Sequence, residues 1–223
     1  MDYFYETHMH TSEVSACAVK TAEQQVAIYK ERGYTGIIIT DHFINGYSNC
    51  PMNLPWEEKM RHFVKGYENA KEAGDRTGLD VFLGWEWRNT TGSEFLTYGL
   101  DLGFLLSYPR LDIMSTEEYS TLVKESGGYL AQAHPYRDAY YIDHCFPVAS
   151  HLIDGIEVIN SYDKDSANNK AFAYALKFDL AIQAGTDSHG RGEHYFTGIA
   201  LKKKAVSIFD IIDALKMKDV ELL

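Results

Sequence analysis

Short apolar runs rich in β-branched and aromatic residues alternate with segments of helical periodicity along the whole chain. An apolar run without polar alternation is typical of a strand buried on both faces, and strands that alternate with helices are typical of parallel βα units. The predicted strands are Tyr3–Thr7, Gly36–Thr40, Val81–Trp85, Glu94–Leu100, Tyr129–Ala133, Gly155–Asn160, Leu180–Ala184 and Thr197–Lys202. The pattern predicts an α/β fold, either a closed TIM-like barrel or an open doubly wound sheet, with its functional residues at the carboxyl ends of the strands.

Local signals mark where helices begin between these strands. Thr21-x-x-Gln24 and Ser115-x-x-Glu118 are capping boxes, which predict two helix starts. Further helices are expected from Trp56, between Asp165 and Phe178, and over Ser207–Lys218. The longest stretch without periodicity, Phe43–Pro55, is interpreted as an active-site loop.

Composition narrows the class of protein. The chain has 223 residues, of which 45% are hydrophobic and 24% charged, and we expect one domain over residues 1–223. The 21 Lys and Arg residues against 32 Asp and Glu give a formal net charge of −11, so we expect no stable nucleic-acid complex. The three cysteines form no CxxC pair, which favours reduced thiols in a cytoplasmic protein. No apolar run approaches the roughly 18 residues of a membrane helix and no secretory pattern opens the chain, so no membrane association is expected.

Side chains that bind metals follow five of the predicted strands. They are His8 and His10, Asp41 and His42, Glu86, His134, and Asp187 with His189. Because side chains alternate across a strand, His8 and His10 lie on the same face. Imidazole nitrogens and carboxylate oxygens in one pocket suit Zn, Mn or Fe(II), and a bridging carboxylate allows more than one ion. Any one of these histidines is explained as an ordinary strand-end residue, but their recurrence at successive strand ends predicts a metal centre.

The same motifs resemble the PHP family, which is named for its presence in polymerases and histidinol phosphatases. The motifs are Thr7-His8-Met9-His10-Thr11-Ser12-Glu13-Val14-Ser15-Ala16-Cys17, Thr40-Asp41-His42, Gly84-Trp85-Glu86, Ala133-His134-Pro135 and Gly185-Thr186-Asp187-Ser188-His189. They occur in the family's order and cover nearly the whole chain. The resemblance implies a distorted seven-stranded TIM-like (β/α) barrel with two or three divalent metal ions at its carboxyl face, and the hydrolysis of a phosphoester.

The resemblance also implies roles for individual ligands. His8, His10 and Asp187 hold a first metal ion, Glu86 bridges it to a second ion bound by His134, and His42 with His189 hold a third. Two positions depart from the commoner members of the family. Glu13 is the expected substitute at the third ion, and Glu94, or failing that Asp101, is the expected substitute for a missing histidine at the second.

Other polar residues are candidates for contacts with the substrate. Arg137 is expected to bind a substrate phosphate, with a surface ion pair as the alternative, and Arg191 and Arg88 are further candidates for contact with the phosphate or the leaving group. Asp187 is a candidate acceptor for the proton of the nucleophile, and His194 a candidate donor to the leaving oxygen. Glu157 and Asn160 are expected to make supporting hydrogen bonds around the site rather than to bind a metal ion directly.

The leading hypothesis is a metal-dependent phosphoesterase acting on a small phosphorylated metabolite or short nucleotide. A 3′–5′ exonuclease acting on oligonucleotides is the nearest alternative. An amidohydrolase-type enzyme would cleave C–N or C–O bonds with similar ligands, but commonly with a bridging lysine that is carboxylated. A metal-binding module without activity is the alternative outside the enzymes. Neither the oligomeric state nor closure of Phe43–Pro55 over the pocket follows from the sequence.

Overall fold

The computed structural model describes residues 2–143, 145–193 and 195–223, and nine β-strands and seven α-helices lie within these ranges. The strands are β1 (Tyr3–Glu6), β2 (Gly36–Ile39), β3 (Asp80–Arg88), β4 (Glu94–Tyr98), β5 (Tyr129–Gln132), β6 (Gly155–Asn160), β7 (Ala181–Gly185), β8 (Ile199–Leu201) and β9 (Glu221–Leu222). The helices are α1 (Ala22–Glu31), α2 (Trp56–Phe63), α3 (Lys65–Thr77), α4 (Leu102–Ser107), α5 (Thr116–Glu125), α6 (Asp165–Phe178) and α7 (Ile208–Lys216). Both predicted capping boxes form, at Thr21 before α1 and at Ser115 before α5. Within the described ranges no helix is both long and apolar enough to cross a membrane.

The strands form one mixed sheet in the order β7-β6-β5-β4-β3-β2-β1-β8-β9. The predicted α/β class is confirmed, but the expected seven-stranded barrel is wrong, because nine strands are present and four pairings are antiparallel. The loop of five residues between β3 and β4 explains the main difference. A parallel crossover needs a dozen or more residues, so a connection this short forms a hairpin. The remaining antiparallel strands, β8 and β9, continue the sheet beyond β1.

The sheet curves into a nearly closed barrel at the end where the candidate ligands lie. Beyond β1 and β7 the chain forms a parallel bridge between Met9 and Ser188. The Asp187 amide donates to the carbonyl of His8 at 2.7 Å, and the His10 amide donates to the carbonyl of Ser188 at 2.9 Å. Closure at this end brings the first and the last ligand motifs side by side.

Packing around β3 fixes the direction of Glu86. Trp85 and Trp87 are fully buried in the largest apolar cluster. Their indole N–H groups donate to the Tyr119 hydroxyl at 2.6 Å and to the carbonyl of Leu111 at 2.7 Å. Because successive strand residues face opposite sides, burial of both tryptophans on one side directs Glu86 to the other side, toward the cluster.

Candidate metal centre

The candidate ligands converge at the carboxyl ends of the strands as one continuous cluster. Four groups of three side chains have ligand atoms within 4.8 Å of one another, and seven of the eight contributing residues are buried. The groups are His8, His10 and Asp187; His8, Glu86 and His134; His42, Glu86 and Glu94; and His10, His42 and His189. Since neighbouring groups share members, the arrangement can hold more than one metal ion.

The spacing of the first group fits a metal ion. The Nε2 atoms of His8 and His10 lie 3.2 Å apart, and they lie 3.3 Å and 3.1 Å from Asp187 Oδ1. Glu86 Oε1 lies 3.3 Å from His8 Nε2. Tetrahedral ligands about 2.1 Å from a zinc ion lie about 3.4 Å from one another. His8, His10 and Asp187 are therefore spaced as they would be around one ion, and Glu86 adjoins this group through His8.

Glu86 connects this group to the rest of the cluster. Its Oε1 lies 3.1 Å from His134 Nε2, and its Oε2 lies 2.8 Å from His42 Nδ1. Glu94 lies on the same side, with Oε2 3.5 Å from His134 Nε2 and Oε1 4.0 Å from His42 Nδ1. Among the described residues, His42 Nδ1 and Glu86 Oε2 have no hydrogen-bond partner other than each other. A cation between these two buried atoms would satisfy both of them.

A buried carboxylate sets the tautomer of His8. Glu157 Oε1 lies 2.9 Å from His8 Nδ1, while its Oε2 accepts hydrogen bonds from the His134 amide at 3.0 Å and the Asn160 side chain at 2.9 Å. An ionised carboxylate only accepts, so Glu157 holds a proton on His8 Nδ1 and leaves Nε2 as the atom that would bind a metal ion. Glu157 and Asn160 thus contact ligands as the sequence analysis expected.

His10 and His189 are oriented in the same way by other groups. Ser15 Oγ donates to Asp41 Oδ1 at 2.7 Å and lies 3.1 Å from His10 Nδ1. His189 Nδ1 lies 2.7 Å from the carbonyl of Asp187, an acceptor. Both rings therefore present Nε2 to the cluster. Sequence reasoning missed Ser15, although it lies within the first motif, because its contacts with His10 and Asp41 depend on how the loop turns.

Two strand ends adopt unusual backbone conformations that direct ligands inward. His134 has φ +28° and Asp187 has φ +57°, in the left-handed region that side chains other than glycine rarely adopt. Strain of this kind concentrates at functional sites. Close packing adds a further constraint at Gly185, where a Cβ would overlap His8 Cβ and the Glu157 carboxylate.

Mutual attraction decides which cluster members carry charge. Burial raises the pKa of Glu86, but the charges of His8 and His42 outweigh it and hold this pKa well below its ordinary value. Burial likewise raises the pKa of Asp187, and His8 and Arg137 lower it well below its ordinary value. Burial, then the charge of Glu86, raise the pKa of Glu94. The cluster thus holds acidic groups that favour nearby positive charge, which divalent ions would supply.

Cationic side chains line the space above the cluster. A cavity of about 350 Å³ lies over Glu86, His134 and Asp187 and is lined by Arg88 and Arg137. It shares residues with a second cavity of about 580 Å³, whose cationic lining residues are Arg137, Lys164, Lys170 and Arg191. Arg137 donates to Asp163, Asp187 and Asn160 at 2.7–2.8 Å.

The other two arginines are tethered to backbone carbonyls. Arg88 donates to the carbonyl of Tyr141 at 2.6 Å, and Arg191 donates to the carbonyl of Cys17 at 2.6 Å. Both nevertheless lie in the wall of a cavity beside the cluster. The structure thus brings all three predicted arginines to the space above the candidate ligands.

Three sequence-predicted residues do not join the cluster as described. The structure turns Glu13 away, because both of its carboxylate oxygens lie 3.0 Å from the amide of Ala22 at the start of α1. Asp101 accepts from the amide of Phe104 at 2.9 Å and caps α4, so Glu94 rather than Asp101 lies in the cluster. His194 lies outside the described residues.

Cys17, for which the sequence suggested no chemistry, lines the cavity over the cluster, whereas Glu13 does not. Burial raises the pKa of the Cys17 thiol, but hydrogen bonds with His189 and His42 and their charges outweigh it and lower this pKa to about 7. The only sequence signal was the place of Cys17 in the loop that follows His10.

Comparison with known proteins identifies the fold. No protein-family model matches the chain, and no curated protein is significantly similar to it in sequence. A two-domain protein from Bacteroides vulgatus, which contains a predicted PHP-like metal-dependent phosphoesterase, matches with a TM-score of 0.75 and 18% identity, over 100% of this chain and 65% of that one. The fold of this chain is PHP-like. The predicted resemblance to the PHP family is thereby confirmed at the level of structure.

Two further solved structures support the PHP-like fold. A protein from Bifidobacterium adolescentis, provisionally described as a metal-dependent phosphoesterase, has a TM-score of 0.63 and 15% identity, over 98% of this chain and 97% of that one. Endonuclease Q, in a complex with a 27-mer duplex that carries an abasic lesion at the active site, has a TM-score of 0.63 and 13% identity, over 97% of this chain and 57% of that one. The chain thus spans about three fifths of the Bacteroides and Endonuclease Q chains.

The Endonuclease Q complex corrects one expectation. The expectation of a small phosphorylated partner and of no stable nucleic-acid complex is contradicted by Endonuclease Q, a protein of similar fold that holds duplex DNA. Net charge describes the whole surface, whereas a nucleic acid responds to the potential at its binding site. Here the larger cavity beside the cluster is lined by four cationic side chains and three carboxylates, although the whole chain has a net charge of −11.

Proposed function

We propose that this protein is a metal-dependent phosphoesterase that holds two or three divalent ions in the strand-end cluster. The observation that carries the proposal is the spacing of the ligand atoms of His8, His10 and Asp187 at 3.1–3.3 Å, with Glu86 Oε1 3.3 Å from His8 Nε2. Mixed imidazole and carboxylate ligands suit Zn, Mn or Fe(II). Such ions, when bound, activate water and polarise a phosphoryl oxygen. The PHP-like fold supports the same reaction class.

The chain's own residues bind and orient a phosphoryl group in this proposal. The hydrogen bonds of Arg137 to Asp163, Asp187 and Asn160 use three of the five N–H donors of a guanidinium. The two N–H donors that remain, in the plane of the guanidinium, are suited to bidentate contact with phosphate oxygens. Asp187 Oδ2 accepts from Arg137 while Oδ1 faces the histidines, so the guanidinium orients this carboxylate as well. In the proposal Asp187 also takes the proton of the attacking nucleophile, and the larger cavity receives the rest of the substrate.

A phosphodiester of nucleic acid is a candidate for the substrate of this phosphoesterase. Two observations favour it, the DNA complex of Endonuclease Q and the cationic lining of the larger cavity by Arg137, Lys164, Lys170 and Arg191. Asp138, Asp163 and Asp187 also line this cavity, and Arg137 is paired with the last two, so Lys164, Lys170 and Arg191 are the cations left to attract a polyanion. This candidate predicts oligonucleotide binding that weakens as salt rises.

An amidohydrolase-type reaction is less well supported. Such enzymes commonly bridge their ions with a carboxylated lysine, and the cavity over the cluster has no lysine among its described lining residues. The position between two groups of ligands is instead occupied by Glu86. A carboxylate in the bridging position favours phosphoryl transfer over C–N cleavage in this chain.

Metal content and hydrolysis measured on the same preparations test the proposal. Elemental analysis of tag-free protein purified without chelator should give at least two ions per chain. Hydrolysis of p-nitrophenyl phosphate, bis-p-nitrophenyl phosphate and labelled single- and double-stranded oligonucleotides is then compared before EDTA, after EDTA, and after Zn²⁺ or Mn²⁺ is restored. Cleavage of at least one substrate that EDTA abolishes and metal restores is the expected result.

Paired histidine variants separate the cluster from the rest of the protein. H8A should lose bound metal and more than about 100-fold in kcat/KM, because removal of a ligand costs more than removal of a supporting group. H151A is the matched control, since His151 is exposed and absent from the cluster described above. Phosphoester hydrolysis by H8A at the rate of H151A would contradict the proposal, as would hydrolysis that persists in EDTA. Metal binding with turnover of an amide and of no phosphoester would favour the amidohydrolase reaction, and metal without any turnover would favour a binding module.

A further inference from the structure

Two exposed tyrosine rings lie in the wall of the cavity over the cluster. Among the described residues, three of the 16 tyrosines are exposed, Tyr47 at 63%, Tyr140 completely and Tyr195 at 41%. Tyr47 and Tyr140 both line this cavity of about 350 Å³. Neither ring belongs to an apolar cluster of the core in the described part of the chain. Single exposed rings are ordinary, but two of three at one cavity indicate a role in binding rather than in packing.

Main-chain hydrogen bonds hold Tyr47 in place and leave its ring free. The carbonyl of Tyr47 accepts from the amide of Ala16 at 2.9 Å, and the amide of Asn49 donates to the carbonyl of Val14 at 2.6 Å. The loop that follows β2 is therefore paired with the loop that follows His10. A side chain on such a backbone is suited to contact a ligand, because little backbone freedom remains to be lost on binding.

The segment after β5 holds Tyr140 in a similar way. The ring of Tyr140 packs edge-to-face against that of Tyr141, with centroids 5.4 Å apart and an interplanar angle of 88°, which is a favourable arrangement of aromatic rings. The carbonyl of Tyr141 accepts from Arg88 at 2.6 Å, and the amide of Asp143 donates to the carbonyl of Thr91 at 3.0 Å. The segment is thus tied to β3 and to the turn before β4, while the Tyr140 ring stays open to a ligand.

The same cavity brings these rings to the candidate site for a phosphoryl group. Glu86, Asp187 and Arg137, which belong to that site, also line the cavity. Its volume of about 350 Å³ lies near the lower end of the range for small-molecule sites, roughly 300–1,000 Å³, so it is suited to one small molecule rather than to a strand. A group esterified to the phosphate would therefore lie beside aromatic rings.

We propose that Tyr47 and Tyr140 form a subsite for a nucleobase, so that the substrate of the cluster is a nucleotide. A nucleobase stacks on aromatic side chains, whereas sugar and phosphate have no π face to stack. Because every base has such a face, affinity should depend on the presence of a base much more than on its identity. The inference rests on the proposed function in one respect only, that the cluster holds the phosphate of the same molecule.

Fluorescence of a 2-aminopurine nucleotide tests the subsite, because this base loses fluorescence when it stacks. The probe is the nucleoside 5′-phosphonate, whose P–C bond is not hydrolysed, and it is titrated with zinc-loaded protein. The wild type should quench the probe. Y47A and Y140A should each weaken its binding by roughly 5- to 150-fold, whereas Y47F and Y140F, which keep the rings, should stay within twofold of the wild type. F209A is the matched control, because Phe209 is 51% exposed and lines a separate cavity.

An abasic analogue with the same sugar and phosphonate separates stacking from a general change in the cavity. Its affinity, measured by displacement of the probe, should be the same in the wild type, Y47A and Y140A. Equal losses for the probe and for the abasic analogue would overturn the subsite. A wild type that binds the two compounds equally well would also overturn it.

Turnover separates the subsite from the proposed function. The kcat/KM values for thymidine 5′-(p-nitrophenyl phosphate) and for a labelled single strand distinguish a free nucleotide from a strand end, and Y47A and Y140A should lower the higher of the two values at least fivefold. Tyrosine-dependent binding without hydrolysis of any phosphoester would support the subsite and refute the proposed function. EDTA-sensitive hydrolysis that both alanine variants leave unchanged would refute the subsite and leave the proposed function intact.

Discussion

Replacing Glu157 with glutamine changes one atom of the carboxylate that orients His8. Glu157 accepts from His8 Nδ1 at 2.9 Å on one oxygen, and from the His134 amide at 3.0 Å and Asn160 Nδ2 at 2.9 Å on the other. A glutamine whose oxygen faces the two latter donors presents its NH₂ group to His8. His8 Nδ1 must then accept, the proton moves to Nε2, and the atom that faces Asp187 and Glu86 can no longer bind a metal ion.

The opposite orientation of the amide is also unfavourable. The NH₂ group would face the His134 amide and Asn160, which leaves buried donors unsatisfied at a cost of about 1–3 kcal/mol in the free energy of unfolding. We therefore expect E157Q to lose about 10–100-fold in metal affinity, or about 1.4–2.8 kcal/mol of binding free energy. Loss of the metal ion should lower kcat by a similar factor.

Competition with a chromophoric chelator measures the affinity of E157Q for Zn²⁺, and urea unfolding of the metal-free protein measures its stability. D154N is a matched control, because Asp154 directly precedes β6 and accepts from the amide of Leu130 at 2.9 Å without contacting a candidate ligand. Zn²⁺ affinity within twofold of the wild type, together with unchanged stability, would show that Glu157 does not set the state of His8.

Three other predictions follow from individual contacts. Burial raises the pKa of Glu6 to about 7 from an ordinary value of 4.5, so folding favours the protonated carboxyl. The contribution of this carboxyl to the free energy of unfolding is complete below pH 4.5 and is lost as pH rises through 7. In urea unfolding of metal-free protein, E6Q should therefore gain up to about 3 kcal/mol relative to the wild type between pH 4.5 and 8, and an unchanged difference would refute this. E94Q should lower the number of ions per chain in elemental analysis. D101A should keep its ions and lose about 1 kcal/mol of stability, because it removes the cap of α4. Equal metal loss in both variants would contradict the assignment of Glu94. E13A should lose about 1 kcal/mol of stability with its hydrogen bonds to the start of α1 and keep its metal content, and metal loss would restore Glu13 as a ligand.

Local patterns in the sequence were sufficient to place most of the cluster. The alternation of side chains along a strand put His8 and His10 on one face, and Glu86, His134 and Asp187 follow three of the other predicted strands. Capping boxes located the starts of α1 and α5 because cap hydrogen bonds form between residues three positions apart. These features depend only on residues that are close together in the sequence, so they can be predicted from a single sequence.

Features that depend on distant parts of the chain were decided by the tertiary structure. The direction of β4 follows from a hairpin, and closure of the barrel follows from contacts between residues near positions 9 and 188. In the loop after His10, the sequence predicted Glu13 as the ligand that completes the third group and suggested no role for Cys17. Packing of that loop against α1 holds the Glu13 carboxylate at the amide of Ala22, whereas Cys17 lines the cavity over the cluster. A loop has no repeating geometry, so only its long-range hydrogen bonds determine which side chain reaches the metal centre.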